Sequence, residues 1–304
     1  MLRWAGAFGV LLVGLLAPSC SDSPPSPSAY SGVLAATEFV VGENRFPFGI
    51  INVDGAELRE ASVQVRFHSL AEGTAPLEAE GTAQWREVVG TTPHVHADGT
   101  VHQHLEVRGV YVVDSVKLEA PGIWNAEFTA STSSGAPVLV NGLALEVTAV
   151  STAPNVGDMV PASVVPTVRE GAKFADLSSH QTADDHMHDY SVAQALTLKR
   201  PFVVLFSSPM FCVSRMCGPV TDMAAAVYQR HKGSVVFVHI EAWDLRIARS
   251  EGRLVPVEAM VQWKLPSEPW LFVVDAQGKV ASRFEGLVSA EESELALRRV
   301  LTAS

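Results

Sequence analysis

Residues 202–217 carry the most informative stretch of the chain, Phe202-Val203-Val204-Leu205-Phe206-Ser207-Ser208-Pro209-Met210-Phe211-Cys212-Val213-Ser214-Arg215-Met216-Cys217. The continuous apolar run at its start predicts a strand that is buried on both faces. Good helix-forming residues come next and predict a helix from about Val213 to Arg230. A cysteine at a helix start lies near the positive end of the helix dipole, which favours the thiolate. Because the thiolate is the form that attacks disulfides, Cys212 is a candidate nucleophile.

The spacing of the two cysteines constrains how they can bond. Four residues separate Cys212 from Cys217, and residues five apart in a regular helix lie about 8 Å apart along its axis. A disulfide tolerates Cα separations of only about 4.4–6.8 Å. Bonding therefore requires Cys212 to lie in the loop before the helix, or the first helical turn to unwind.

The chain beyond residue 190 alternates between helical and strand patterns. Ser191-Val192-Ala193-Gln194 is a capping box that opens a helix through about Leu198. Further strands are predicted over 235–240, 270–274 and 280–284. A second capping box, Ser289 to Glu292, opens a terminal helix that extends to Leu301.

This order of elements, with a cysteine after the first strand and Ser267-Glu268-Pro269-Trp270 before a later one, resembles the thioredoxin fold over about residues 190 to 304. The resemblance implies that Cys212 is the exposed nucleophile and that Cys217 resolves the mixed disulfide. It also implies that Pro269 is a cis-proline facing them. Thioredoxins separate their cysteines by two residues, and they carry a buried aspartate where this chain has Leu205. Cys217-Gly218-Pro219-Val220 matches the thioredoxin Cys-Gly-Pro-Cys without its last cysteine, which leaves Cys217 as the alternative reactive position.

The first half of the chain has the period of strands. Val63, Val65 and Phe67 alternate with polar residues, and Asp-Gly, Pro-Gly and Asn-Gly turns recur between such runs. This pattern predicts an all-β antiparallel sandwich over residues 37–150. The segment around Trp124 resembles a strand of immunoglobulin-like domains. The fold class expected is therefore two-domain: this sandwich, a linker over 151–173, and an α/β thioredoxin-like domain over 174–304.

The N-terminus has the pattern of an export signal. Residues 1–19 combine Arg3 with an apolar stretch too short to span a bilayer. The following Cys20 and the Ser/Pro-rich tether over 20–36 resemble a bacterial lipoprotein, in which Cys20 is lipidated. An ordinary secretory signal is the alternative. The expected location is the cell envelope, outside the cytoplasm and lipid-anchored to a bacterial membrane.

Composition narrows the functional classes. The chain has 304 residues, 47% of them hydrophobic, and a formal net charge of −11. This length predicts about two domains, and the acidic balance argues against nucleic-acid binding. With Cys20 acylated, Cys212 and Cys217 remain of three cysteines, and a lone pair in an oxidising compartment is a disulfide or dithiol candidate.

Four histidines flank an Asp98-Gly99 turn: His94, His96, His102 and His104. A two-residue turn would send the two histidine pairs to opposite faces of a hairpin. A three-residue loop would pair His94 with His102 and place all four on one face, within reach of one copper or zinc ion. Solvated surface histidines are the alternative. A second cluster contains His180, His186 and His188 with Asp184 and Asp185, and it is expected to be an exposed polar loop.

Together these observations predict a membrane-anchored thiol–disulfide oxidoreductase that acts through Cys212, Cys217 and Pro269. Its expected partners are envelope proteins with thiols or disulfides, and the exchange requires no cofactor. Two alternatives stay open. One is a copper or zinc binding or delivery protein that uses the histidine hairpin, with the two cysteines as further candidate ligands. The other is a catalytically silent interaction module.

Overall fold

The computed structural model describes residues 30–70, 78–88, 94–95, 101–102, 109–180 and 185–302. In the first half of the chain these residues form twelve strands: β1 (Tyr30–Leu34), β2 (Phe39–Val40), β3 (Gly42–Asn52), β4 (Ser62–Ser69), β5 (Glu78–Glu87), β6 (His94–Val95), β7 (Val101–His102), β8 (Gly109–Leu118), β9 (Gly122–Ser131), β10 (Pro137–Val138), β11 (Val140–Asn141) and β12 (Leu143–Thr148).

The second half of the described chain alternates helices and strands. Its elements are α1 (Phe174–Leu177), α2 (Val192–Thr197), β13 (Phe202–Phe206), α3 (Cys217–His231), β14 (Val236–Ile240), α4 (Leu245–Glu251), α5 (Glu258–Gln262), β15 (Trp270–Val274), β16 (Val280–Glu285) and α6 (Ala290–Thr302). Short 3-10 helices span Val168–Glu170, Asp185–His188 and Pro209–Phe211.

The first half folds into one large mixed sheet. Nine strands follow one another in the order β11-β1-β3-β8-β5-β4-β9-β12-β2, and β10 pairs with β9 as the tenth strand. Most neighbours are antiparallel, but β1 runs parallel to β11, and β2 runs parallel to β12. The sheet curls, because the rings of Phe46 on β3 and Phe67 on β4 meet at 4.8 Å although β8 and β5 lie between those strands.

A four-stranded sheet in the order β14-β13-β15-β16 forms the centre of the second half. β13 is parallel to β14 and antiparallel to β15. All five residues of β13 are buried, which confirms the prediction from its apolar sequence. Val203 and Leu205 pack with residues of α3 and α6, whereas Phe202, Val204 and Phe206 pack with Trp263 and other residues of the opposite cluster. Helices therefore cover both faces of the sheet, with α3 and α6 on one side and α2 and α5 on the other.

The predicted fold class is wrong in two respects. The first half is a single curled sheet with parallel pairs, not an antiparallel sandwich of two facing sheets. Alternation in the sequence reports which face a side chain occupies, but it does not report strand direction, so it could not reveal the parallel edges. Trp124 is fully buried in the core of this curled sheet.

The α/β part is also not a separate domain. One hydrophobic cluster joins Ala35, Val110 and Val112 of the first half to Leu205 and Leu297 of the second. Hydrogen bonds and ion pairs also join the first half of the chain to the second. Residues 151–173, predicted as a linker, contribute Ala153 and Val160 to a second cluster beside the small sheet.

Glu285, at the end of β16, is the centre of these polar contacts. Its Oε1 accepts hydrogen bonds from the N–H and hydroxyl of Thr37 at 2.9 and 2.6 Å. Its Oε2 accepts from the N–H of Glu38 at 2.9 Å. Arg45 reaches Glu292 at 2.8 Å near the start of α6.

Within the described residues, no helix is long and apolar enough to cross a membrane.

We expect Glu285→Ala to lower the free energy of unfolding by about 2–4 kcal/mol, because partly buried N–H donors of the first half lose their acceptor. Urea denaturation followed by tryptophan fluorescence measures the change. Glu291→Ala is the matched control, since Glu291 is exposed and its ion pair with Arg86 spans 3.4 Å, so its effect should stay within about 0.5 kcal/mol. Equal stability of the two variants would contradict a structural role for the Glu285 contacts.

Candidate functional site

The two cysteines lie between β13 and α3. A 3-10 turn, Pro209–Phe211, follows β13, and Cys212 ends it with extended backbone. Helix α3 begins at Cys217, not at about Val213 as the sequence predicted. Arg215 explains the difference, because its φ of 63° is left-handed and cannot continue a right-handed helix. Cys212 therefore lies in the loop before the helix, with both thiols free.

The sulfur of Cys212 caps the start of α3. The N–H of Cys217, the first residue of the helix, donates to Cys212 Sγ at 3.2 Å. The hydroxyl of Ser214 lies 3.4 Å from the same sulfur. Burial by itself raises the pKa of Cys212, but hydrogen bonds from the Cys217 thiol, Ser214 and the Cys217 N–H outweigh it and lower the pKa to about 7. The Cys212 side chain is partly exposed, so a thiolate there is accessible.

Cys217 has the opposite environment. It is fully buried, and burial, together with the hydrogen bond to Cys212 and that residue's charge, raises its pKa well above the ordinary value. The pair thus consists of one partly exposed, acidic thiol and one buried thiol that stays protonated at neutral pH.

The loop before β15 faces both sulfurs. The peptide bond between Glu268 and Pro269 is cis. The Glu268 carboxylate accepts the N–H of Val213 at 2.9 Å. The Ser214 hydroxyl lies 3.1 Å from the Glu268 carbonyl oxygen and 3.4 Å from Cys212 Sγ, and its one proton serves one of these acceptors at a time. These contacts connect residues 212–216 to the loop before β15.

Glu268 itself belongs to the site. Cys212 Sγ, Cys217 Sγ and a Glu268 carboxylate oxygen all lie within 4.8 Å of one another, which makes these three residues a candidate metal-ligand set. Glu268 is only 5% exposed, and burial raises the pKa of its carboxyl group. Sequence reasoning assigned it no role. The signal available was an acidic residue directly before the proline that was expected to face the cysteines.

A series of buried, hydrogen-bonded side chains contacts the first turn of α3. Thr221 donates to the carbonyl of Cys217 at 2.8 Å, and its hydroxyl lies 2.7 Å from that of Ser207. Ser207 lies 2.8 Å from His239 Nε2, and His239 Nδ1 lies 3.2 Å from His188 Nε2. Burial and then the neighbouring His188 hold the pKa of His239 well below its ordinary value, so His239 is neutral. These hydrogen-bonded side chains anchor the first turn of α3.

The second histidine cluster is not the exposed polar loop that was expected. His180 and His188 are buried, and His180 Nε2 lies 2.8 Å from Asp222 on α3. His186 instead contacts Asp189 at 3.2 Å. These histidines have separate partners, and among the described residues Cys212, Cys217 and Glu268 form the one metal-ligand group. Asp184 lies outside the described residues.

For the histidine hairpin the structure gives the backbone register alone. β6 and β7 are antiparallel and pair His94 with His102. This is the register of the three-residue loop alternative. His96 and His104, like the turn itself, lie outside the described residues, and so do the side chains of His94 and His102.

No protein-family model matches this chain, and no curated protein matches it. Among solved structures, the chain is similar to a thiol:disulfide interchange protein, a thioredoxin family protein from Chlorobium tepidum TLS. The two are 19% identical with a TM-score of 0.29, and the match covers 37% of this chain and 86% of that chain. This distant structural neighbour carries no argument about activity, so the function is inferred from the geometry of the site.

The acidic thiol leads to a prediction about reactivity. In the Cys217→Ser variant, the rate at which iodoacetamide alkylates Cys212 should fall as pH drops below the Cys212 pKa, because only the thiolate reacts. Ser214→Ala should move the midpoint of this profile upward by about one pH unit, since a hydrogen bond to a charged group contributes about 1.5 kcal/mol.

Ser250→Ala is the control for that profile, because Ser250 is exposed on α4 and bonds to the carbonyl of Arg246. It should leave the midpoint unchanged. A Ser214→Ala profile that coincides with the control would show that the Ser214 hydroxyl does not stabilise the thiolate.

Proposed function

We propose that this protein exchanges disulfides with partner proteins, with Cys212 as the attacking thiol and Cys217 as the resolving thiol. The observation that supports the proposal is the position of Cys212 Sγ at the start of α3, where it accepts the N–H of Cys217 at 3.2 Å. The positive end of the helix dipole and a free N–H group stabilise a thiolate at this position.

The first step joins the protein to its partner. The Cys212 thiolate attacks one sulfur of a partner disulfide, a new S–S bond forms, and the partner's S–S bond breaks. The other partner sulfur leaves as a thiolate and takes a proton from solvent. Partial exposure of Cys212 supports this order, because a partner's disulfide can approach it more readily than it can approach the buried Cys217.

The second step releases the partner. Cys217 loses its proton and attacks Cys212 Sγ, so the mixed disulfide breaks and the second partner sulfur leaves. Two electrons have then passed from the cysteine pair to the partner disulfide, and the reverse sequence oxidises a partner dithiol. The non-helical segment between the cysteines supports this step, since a regular helix would hold residues five apart too far from each other to bond.

The proposed location is the outer side of a bacterial membrane. Its support comes from the sequence: the apolar leader over 1–19, Cys20, and the Ser/Pro-rich tether. A lone cysteine pair that cycles between thiol and disulfide fits an oxidising compartment. Envelope proteins with thiols or disulfides are the proposed partners.

Cys217→Ser should accumulate mixed disulfides with partner proteins, because the attack by Cys212 remains and the resolving thiol is gone. Non-reducing gel electrophoresis of cells quenched with acid and N-ethylmaleimide should show adducts that a reducing agent releases. Cys212→Ser and the double variant are the controls, and neither should form adducts.

The reverse pattern, adducts with Cys212→Ser and none with Cys217→Ser, would assign the attack to Cys217. If neither single variant forms adducts while both remain folded, the exchange proposal fails and the silent interaction module is favoured.

Labelling with a fatty acid tests the proposed lipid anchor at Cys20. In a bacterial host, the full chain should incorporate labelled palmitate and sediment with membranes, whereas Cys20→Ala should do neither. An unlabelled wild-type protein that is recovered in soluble form after export would instead indicate an ordinary secretory signal.

A further inference from the structure

The residues around the cysteines offer a donor set that disulfide exchange does not require. Two sulfurs and one carboxylate oxygen lie within 4.8 Å of one another. Cys212 lies in the loop before α3, Cys217 is the first residue of α3, and Glu268 lies in the loop before β15. The bonds that form and break in disulfide exchange involve sulfur atoms alone, so the carboxylate of Glu268 is not one of the reacting groups. Cysteine thiolates and glutamate carboxylates are both ligands of zinc in proteins.

Hydrogen bonds hold two of these three groups in place. The N–H of Val213 donates to Glu268 Oε1, and the N–H of Cys217 donates to Cys212 Sγ. Hydrogen bonds of this kind orient metal ligands and are a regular part of built metal sites.

The carboxylate of Glu268 forms no ion pair within the described residues. It is 5% exposed, and in the part of the chain that the structure describes it takes part in no ion pair with lysine, arginine or histidine. Buried charges are normally paired or coordinate a metal. A cation between Glu268 and the two sulfurs would supply the missing positive charge.

We propose that the reduced protein binds one Zn²⁺ ion through Cys212 Sγ, Cys217 Sγ and the carboxylate of Glu268. Donors around a tetrahedral zinc ion at about 2.3 Å lie about 3.8 Å from one another. The observed separations of up to 4.8 Å therefore need a contraction of about 1 Å at most. Residues 212–216 and the loop before β15 lie outside regular helices and strands, so small movements of these two segments can bring the three ligand atoms closer.

Binding releases one proton from each thiol to solvent, and the start of α3 offsets part of the resulting negative charge. The partly exposed side of Cys212 leaves the fourth coordination position for water. Because the metal and the disulfide both use the two sulfurs, they exclude each other. Zn²⁺ would then shield the dithiol from oxidants and compete with exchange. The site goes beyond the proposed activity and does not depend on it.

The test uses the full chain, reduced and stripped of metal, titrated with Zn²⁺ against a chromophoric chelator. One equivalent should bind, and Co²⁺ in its place should give a thiolate-to-cobalt charge-transfer band. Cys212→Ser and Cys217→Ser should each lose the band. Glu268→Gln keeps the shape and removes the charge, and it should weaken Zn²⁺ binding by at least about tenfold.

Two controls separate this site from others. Glu241→Gln removes another buried carboxylate, one that accepts hydrogen bonds from Ser179 and lies outside the three-residue group, and it should keep the wild-type affinity. The double variant of His94 and His102 to alanine should keep both the one-equivalent stoichiometry and the charge-transfer band. Loss of binding in that variant would assign the ion to the hairpin and overturn the proposal.

Wild-type affinity in Glu268→Gln would show that the dithiol alone holds the ion and would overturn the role of the carboxylate. A folded, reduced wild-type protein without Zn²⁺ binding would overturn the site altogether. The trapping of mixed disulfides in cells is a separate measurement, so the two proposals can fail independently. Trapping without Zn²⁺ binding leaves the exchange proposal in place, and Zn²⁺ binding without trapping leaves the metal site in place.

Discussion

The hydrogen bond from the N–H of Cys217 to Cys212 Sγ is the contact on which the rest of the site depends. It exists because Arg215 adopts a left-handed conformation and delays the start of α3 until Cys217. Had the helix begun at Val213, the two sulfurs would point about 140° apart around its axis. The delayed start instead brings one sulfur to the end of the helix and buries the other in its first turn.

This arrangement gives two chemically similar groups opposite properties. Hydrogen bonds to the Cys212 sulfur stabilise its charged form, whereas burial of Cys217 disfavours charge. An acidic, accessible thiol beside a protonated, buried one is suited to sequential attack and resolution. Glu268 adds a negative group that opposes ionisation of both thiols, and either a proton or a cation must offset it whenever both sulfurs are charged.

Local elements could be predicted from the sequence, but their assembly could not. The capping box at Ser191 and the buried strand β13 are present, because caps and apolar runs act over a few residues. The parallel pairs β1–β11 and β2–β12 join segments far apart in the chain, and no local pattern encodes them. The part played by Glu268 was missed for a similar reason, since its closeness to the cysteines arises from tertiary packing.

The shared core gives the large sheet a physical link to the cysteine site. Glu285 accepts the hydroxyl of Ser267, in the loop before β15, as well as the N–H of Thr37. The N–H of Gly286 donates to the carbonyl of Pro269 at 2.9 Å. Gly286 has a φ of 71°, and a Cβ there would lie 1.9 Å from the carbonyl oxygen of Ala35. The first half of the chain thus packs directly against the segment that holds Glu268 and Pro269. Through these contacts the curled sheet supports the loop that faces both sulfurs.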